Sequence, residues 1–349
     1  MKLLIITQKV DINDDILGFM HRWVVEFAKH CEKITVITLS VGRYDLPANV
    51  KVLSLGKEAG ASKLKYLARF YSYIWRERKN YDAVFVHMNQ EYAVLGGLFW
   101  RLAGKKVTLW RNHQVGGFWV RIAVFFSDMV FCTSKFAFIA RYKKNKIMPV
   151  GIDTDLFKLN LEINKTQRSV LFLSRISPIK KLDLLISALA LLKKENVDFT
   201  AKIIGDAPAR DKAYFEENKL EAKSRGLESS VEFKKGVPNR QAPEIYNQNE
   251  IFVNLTNSGS LDKTTLEAMA CEGLVLVSNR VFEDMLTQEQ KAFMMFREGD
   301  ARNLADRIKK LFELDGEVKK KIVGQARDMV IERHSLKVLA DKLFKVLSE

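Results

Sequence analysis

Few cysteines, no disulfide spacing and no long apolar run set the first limits on this chain. Its three cysteines, Cys31, Cys132 and Cys271, are scattered and odd in number. They fit neither a disulfide framework nor zinc-ligand spacing, which points to a reducing compartment. There are no Cys and His clusters to suggest another metal site. No apolar run approaches the roughly 20 residues of a membrane-spanning helix. The apolar part of Met1–Asp11 is too short for a secretory signal, and Asp14 and Asp15 follow soon after. Internal repeats, low-complexity segments and recognised nucleic-acid modules are lacking as well.

What is there is a globular composition, 47% hydrophobic and 28% charged. A length of 349 residues exceeds one usual core and suggests two domains. The net charge of +15 is unevenly spread. Residues 1–155 hold 24 Lys and Arg against 13 Asp and Glu, and the remainder holds 33 against 29. A basic first half suggests an acidic partner: anionic lipid, nucleic acid or a phosphorylated substrate.

The apolar pattern alternates between strand-like and helix-like segments. Leu3–Thr7, Ile34–Leu39, Val50–Leu55, Ala83–His87, Val107–Trp110 and Met129–Cys132 read as buried parallel strands. Phe19–His30, Lys63–Lys79, Tyr92–Leu102 and Phe118–Phe126 read as helices, and Gln8–Leu17 as a polar loop ending in Gly18. Turn residues in Ile147–Phe157 and the polar connector Lys158–Arg168 mark a boundary. The rhythm then restarts. Strands are expected at Val170–Leu173, Thr200–Ile204, Val231–Phe233, Ile251–Thr256 and Leu274–Ser278. Helices are expected at Leu182–Lys193, Ala213–Ser224, Ala242–Asn247, Ala301–Glu313, Glu317–Ile331 and Leu336–Leu347. The fold class is α/β: two Rossmann-like doubly wound domains facing each other across a cleft. They take residues 1–155 and 156–332, with a helix in 333–349 packing back on the first. Ligands of such sheets bind outside the carboxyl ends of the strands.

Thr256–Asn279 is the most informative stretch. Ser258, Gly259, Ser260 and Leu261 form a small-residue loop after a strand. Asp262 is a candidate N-cap for the next helix, which buries Leu266, Met269 and Ala270 and ends at Gly273. Backbone N–H groups and the helix dipole make such a helix start an anion site. Glu267, expected in the first turn or so, could reach a ligand hydroxyl. The plain alternative is an ordinary βαβ turn with a solvated Glu. Arg175 and Lys180 follow the strand Val170–Leu173. Two cations and a helix N-terminus can clamp a diphosphate, and they can stabilise a phosphate leaving group without metal. Taken alone, they also fit surface cations flanking a turn.

Several ordered motifs then carry a resemblance. RISPIKKLDLLISAL, IIGD at 203–206, LEAMACEG at 266–273 and VGIDTDLF at 150–157 together resemble a GT-B fold glycosyltransferase of family 4, the retaining glycosyl transferases group 1. The resemblance covers nearly the whole chain. It is strong over residues 147–280 and weaker before them. It implies a nucleotide-sugar donor bound mainly by the second domain, with no metal and no cofactor. Arg175 and Lys180 match the pair at the donor diphosphate. Gly205 matches a strand-end glycine of the donor site. Val237, in the Gly236–Asn239 turn, matches the loop near the base. Glu267 matches the second acid of the E-x7-E motif, which holds the donor ribose. Gly18 matches the first-domain glycine turn that faces donor phosphate and acceptor. His113, in WRNHQVGG after a strand, matches the histidine near the reacting carbon and is the candidate catalytic residue.

The first acid of E-x7-E falls on Gly259, a departure that puts the identity of the sugar in doubt. Asp262 or Lys263 of the GSLDK loop could take its place. Gly259, Ser260, Leu261, Asp262 and Lys263 therefore complete the donor-binding set. Asp153-Thr154-Asp155 resembles the metal motif of the other large glycosyltransferase fold. It lies in the connector, and no metal role is assigned to it. His87 could line the acceptor cleft or belong to the core, and His21 is near Gly18.

The resemblance implies a retaining, metal-independent transfer of a hexose to a glycan or lipid-linked acceptor, in surface polysaccharide or glycolipid synthesis. No residue stands out as a covalent nucleophile, which suits front-face attack assisted by the leaving diphosphate. A non-catalytic GT-B subunit that binds a partner or membrane, or another GT-B enzyme such as an epimerase, is the alternative. Nucleic acid would account for the charge but not for these motifs. The helix Lys63–Lys79 is read with Leu64, Leu67, Ala68, Tyr71, Ile74 and Trp75 on a core face. Lys65, Arg69, Arg76 and Lys79 lie on another face beside Tyr66, Phe70 and Tyr73, a pattern that suits anionic headgroups. Arg141, Lys143, Lys144 and Lys146 could extend it. The expected location is cytoplasmic, with peripheral docking on the inner face of the cytoplasmic membrane.

Overall fold

A computed structural model describes residues 1–259 and 261–349. Two compact units divide the chain, Met1–Gly151 with Leu336–Glu349, and Ile152–Ser335. In the first unit the elements run β1 (Lys2–Val10), α1 (Phe19–Ala28), β2 (Lys33–Val41), β3 (Val50–Ser54), α2 (Lys63–Arg76), β4 (Ala83–His87), α3 (Gln90–Leu102), β5 (Lys106–Trp110), α4 (Phe118–Phe126), β6 (Met129–Cys132) and β7 (Asn145–Ile147). The second unit runs β8 (Thr166–Leu173), α5 (Leu182–Lys194), β9 (Thr200–Ile204), α6 (Lys212–Ser224), β10 (Val231–Lys234), α7 (Ala242–Gln248), β11 (Asn249–Asn254), α8 (Lys263–Ala270), β12 (Leu274–Val277), α9 (Gln288–Met294), α10 (Ala301–Phe312) and α11 (Gly316–His334). The last helix, α12 (Leu336–Ser348), belongs to the first unit.

The first sheet has the order β3-β2-β1-β4-β5-β6-β7 and the second β10-β9-β8-β11-β12. Every neighbouring pair is parallel. Parallel strands need crossover helices, so both sheet faces are covered and the strands read as continuous apolar runs. In β1, Leu3 and Ile5 point to one core and Leu4 and Ile6 to another, as the two-residue period requires. The first core is closed by α1 and α12, through Trp23, Phe27, Leu339 and Leu343. The second is closed by α2, α3 and α4, through Phe70, Ile74, Trp100 and Val124. The second unit buries Leu185, Ile186 and Leu189 of α5 and Leu304, Ile308 and Leu311 of α10 in one cluster. Each sheet reverses its winding once, between β1 and β4 in the first and between β8 and β11 in the second.

The structure corrects several expectations. Strand β1 runs on to Val10, into the segment read as loop, because Lys9 and Val10 continue the ladder with Ser40 and Val41. Strand β8 starts at Thr166, inside the expected connector, and pairs with Asn249 there. Strand β7 and helix α9 were not anticipated. The former is a three-residue edge strand with exposed side chains, and the latter is a single short helix fixed by a Thr287–Gln290 capping box.

Helix α2 differs most. Leu64, Leu67, Tyr71 and Trp75, read as its core face, are exposed, and Phe70, read as interfacial, is fully buried. The inward face is Phe70 and Ile74, with Tyr66 and Tyr73 packed against it. Phe70 meets Tyr92 and Trp100 at ring separations of 5.0 and 6.0 Å. Tyr73 Oη and Arg69 Nη1 donate to the Ser54 and Leu55 carbonyls at 3.1 and 2.9 Å, which pins the helix in this rotation. A sequence apolar on nearly every side leaves the choice to those tertiary contacts.

Candidate functional site

The second unit collects most of the candidate residues around the reversal between β8 and β11. Arg175 and Lys180 follow β8, and residues 257–262 follow β11. Gly205 directly follows β9, which pairs with β8. That crevice is where open α/β sheets bind ligands.

Gly205 has a steric reason to be glycine. A Cβ there would stand 1.8 Å from the Ser174 carbonyl oxygen, beside Arg175. Gly205 N–H donates to the Lys234 carbonyl at 3.1 Å, and Asp206 Oδ2 accepts from Gly236 N–H at 3.1 Å. The turn that holds half-buried Val237 is thereby tied to the end of β9. Arg175 is exposed.

Asp262 stands at the N-cap of α8, but its carboxylate makes no cap hydrogen bond. It instead accepts from Lys180 Nζ, and from Asn254 Nδ2 and Thr256 Oγ1 at 3.1 Å each. Lys180 also donates to Thr256 Oγ1 at 3.1 Å. Burial alone would raise the Asp262 carboxyl. The Lys180 charge and these hydrogen bonds win and hold it at about 2. The side chains of Lys180 and Asp262 retain 17% and 16% exposure, so the pair is largely withdrawn from water but still reachable. The Asp262 carboxylate is thus turned to Lys180 and does not cap the first turn of α8.

Glu267 is the fifth residue of α8, past the first turn, and it is 4% exposed rather than solvated. Oε1 accepts from Asn239 Nδ2 at 3.1 Å and Oε2 from Tyr246 Oη at 3.3 Å. Burial pushes its carboxyl above the usual carboxylate range, although Asn239, Lys263 and Tyr246 pull the other way. Burial likewise pushes the Lys263 ammonium down. Leu261 is buried. Ser260 lies outside the described residues.

Gly259 carries the departure from the acidic motif. Its φ is +123°, a region that favours glycine, and its N–H donates to Asn279 Oδ1 at 3.2 Å. A glutamate at this position would be strained in this backbone.

Gly18 and His113 belong to the first unit. Gly18 is buried at the start of α1 with φ −55°, a conformation open to any residue. The preceding loop is organised by Asp14, whose Oδ1 accepts from Ile16 and Leu17 N–H at 2.9 and 2.6 Å. His113 is exposed, in the loop after β5. Partial burial and the Arg111 guanidinium hold its imidazole below the usual range. Arg111 was not foreseen. It is 7% exposed and donates from Nη1 to the His113 carbonyl at 3.1 Å and from Nη2 to the Val115 carbonyl at 2.7 Å. Asn112 Oδ1 accepts from Thr133 N–H at 2.9 Å. The loop is thus fixed from both sides.

His87 lies in the core, 4% exposed, among Phe19, Trp23, Phe85 and Trp110. His21 is buried, and its Nε2 accepts from Asp45 N–H at 3.1 Å. Asp153 Oδ1 accepts from the N–H groups of Asp155 and Leu156 at 3.2 Å, an Asx turn. Among the described residues no group of three His, Cys, Asp or Glu side chains could hold a metal ion.

The site residues that sequence reasoning missed are Asn239, Tyr246, Asn254, Thr256 and Arg111. The turn at 236–239 had drawn attention, but nothing nearby in the chain links Asn239 to a glutamate 28 positions on.

Known proteins resemble this chain in sequence and in fold. Residues 153–329 match the family model of glycosyl transferases group 1. A GDP-mannose-dependent α-(1-6)-phosphatidylinositol monomannoside mannosyltransferase of Mycolicibacterium smegmatis is 28% identical over 171 residues, 41% of this chain and 43% of the relative. The match therefore spans less than half of that curated relative. The Anabaena protein HepE, solved with UDP-glucose, superposes with a TM-score of 0.81 at 19% identity, covering 100% of both chains. Sucrose-phosphate synthase from Thermosynechococcus elongatus gives 0.81 at 14% identity, covering 100% of this chain and 98% of that one. At such identities the likeness speaks for the fold, which is GT-B.

Proposed function

The chain belongs to the group 1 glycosyl transferases, and from that premise we propose that it moves a hexose from a nucleotide-sugar donor to a glycan or lipid-linked acceptor, with retention and without a metal ion. The observation that carries this reading is the Lys180–Asp262 pair at the start of α8, whose N-cap carboxylate is turned to the lysine. A lysine held in place by a largely withdrawn carboxylate, next to a helix N-terminus, offers a diphosphate fixed positive charge and directed donors. Arg175, exposed at the end of β8, supplies a second cation. These groups stabilise the charge that develops on the leaving diphosphate, the part a divalent ion plays elsewhere.

Glu267 would face the donor ribose. A carboxyl pushed up by burial and anchored by Asn239 and Tyr246 can accept a hydroxyl proton or share one. His113 would contact the donor sugar, carried on a loop braced by Arg111. The leaving phosphate takes the acceptor proton on the face it departs from, so the protein chiefly positions the reactants. We place this work in surface polysaccharide or glycolipid synthesis, at the cytoplasmic side of the membrane. HepE and the mannosyltransferase, by their names, support a nucleotide-sugar donor of this kind.

The test is turnover of a panel of nucleotide sugars in the presence of EDTA, read as donor hydrolysis and as transfer to simple acceptors. Hydrolysis of one donor, lost in Arg175→Ala and Lys180→Ala, is the expected result. No turnover of any donor, with EDTA or with added divalent ions, would leave a non-catalytic GT-B subunit as the better account.

A further inference from the structure

Helices α2, α3 and α4 form one layer over the first sheet, and their outer side is the wrong kind of surface for water. Leu64 of α2 is 79% exposed and Trp75 57%; Leu98 and Leu102 of α3 are 58% and 81%; Phe118, Trp119 and Phe125 of α4 are 63–69%. In an ordinary crossover helix these positions are polar. Their own core is already filled by Phe70, Ile74, Trp100 and Val124, so the outer residues are surplus to packing.

The outer residues are contiguous. Tyr71 Oη donates to the Leu95 carbonyl at 3.1 Å, and the Trp75 and Phe99 rings are 5.9 Å apart, which joins α2 to α3. Gly97 lets α3 close on α4, since a Cβ there would stand 2.4 Å from Phe126 Cβ. Arg101 lies over the Phe125 ring at 5.1 Å, and Arg78 over Trp75 at 4.3 Å.

Charge on this face has one sign. Helices α2 and α4 contain no Asp or Glu, and α3 has only Glu91 at its start. Lys63, Lys65, Arg76, Arg101 and Arg121 are exposed among the apolar side chains. Protein interfaces are depleted of lysine at their centres and match charge with charge. Leu, Trp and Phe interleaved with Lys and Arg is instead the composition of helices lying at a bilayer surface, where rings settle at headgroup depth and cations meet phosphates.

We propose that the outer face of α2, α3 and α4 docks the protein on an anionic phospholipid bilayer. Trp75, Leu102 and Phe125 enter the headgroup boundary, and the surrounding cations engage lipid phosphates. The face differs from the one the sequence suggested, since on α2 it includes Leu64, Tyr71 and Trp75, which were read as core. It goes beyond the transfer reaction and does not depend on it.

The experiment is flotation of the full chain with vesicles of phosphatidylcholine alone and of phosphatidylcholine with phosphatidylglycerol. Binding to the anionic vesicles should be at least roughly tenfold stronger and should weaken with salt. The triple variant Trp75→Ser, Leu102→Ser, Phe125→Ser should lose it while keeping its melting temperature and donor turnover. The charge variant Lys65→Glu, Arg101→Glu, Arg121→Glu should lose it too, which guards against misfolding of the first. Undiminished binding by both variants, or no binding to either vesicle, would overturn the proposal. So would a concentration-dependent dimer that the triple variant abolishes, since the face would then belong to a second copy.

Discussion

The two units share a parallel sheet between helical layers, yet two places in them depart from ordinary burial in opposite directions. In the second unit a carboxylate, a lysine and a glutamate are drawn under the start of α8, where Asp262 and Glu267 meet Lys180, Tyr246 and Asn239. In the first, leucine and aromatic side chains stand out in water on α2, α3 and α4. Withdrawing charge costs free energy unless it is paired and hydrogen-bonded, and exposing apolar surface forgoes a contribution to folding. On the proposed reading the difference has a use: a small charged ligand would be met by a preset charged crevice, and a bilayer surface by a broad apolar face.

The comparison predicts that stability is sensitive in one place and indifferent in the other. Lys180→Ala has the largest expected effect. It leaves Asp262 largely withdrawn from water without its cation, which should cost about 3–5 kcal/mol in chemical denaturation, and donor turnover should fall by about 10²–10³. An unchanged denaturation midpoint would remove the pair from the account. Gly205→Ala comes next, because its Cβ would collide with the Ser174 carbonyl oxygen at 1.8 Å. A loss of about 3 kcal/mol is expected, and a neutral result would mean that β9 can shift away.

Acid stability sharpens the contrast further. The folded Asp262 carboxyl sits at about 2, below its ordinary 3.8. A depressed value contributes stability above the unfolded value, and that stability is lost as pH falls from about 4 towards 2. The amount is about 2 kcal/mol. Urea midpoints measured across this window should drop in the wild type and stay flatter in Asp262→Asn. Glu267 has the opposite sign. Its raised carboxyl contributes stability below 4.5 that is lost as pH rises through the folded value. Glu267→Gln should therefore stabilise the fold on the neutral side relative to the wild type, and a uniform loss at every pH would contradict this. The smallest effect is expected on the exposed face, where Trp75→Ser should change stability by no more than about 0.5 kcal/mol.

Much of the architecture was readable because parallel strands buried on both faces are short apolar runs, and Val84–Val86 or Ile251–Val253 have no other use. The resemblance of the motifs between residues 147 and 280 pointed at the β8 and β11 loops. What could not be read was the meeting of side chains far apart in the chain. Lys180 and Asp262 are 82 residues apart, and nothing local reveals that Asp262 turns from its helix to that lysine. The burial of Glu267 was not legible because its partners come from a distant turn and from α7. The rotation of α2 was hidden for another reason. Leu64, Tyr71 and Trp75 are as apolar as Phe70 and Ile74, so only Tyr73 and Arg69, through their bonds to the end of β3, decide which stripe faces the sheet. Strand β7 escaped because Asn145–Ile147 is an edge strand with little apolar content.

The most direct test of the charged crevice is calorimetric titration of the protein with UDP and with GDP in EDTA, for the wild type and for Lys180→Ala. The account predicts saturable binding of at least one nucleoside diphosphate by the wild type, weakened at least about tenfold by the substitution, the value of one charged hydrogen bond. Binding that is equally tight in Lys180→Ala, or no binding of either nucleotide, would contradict it.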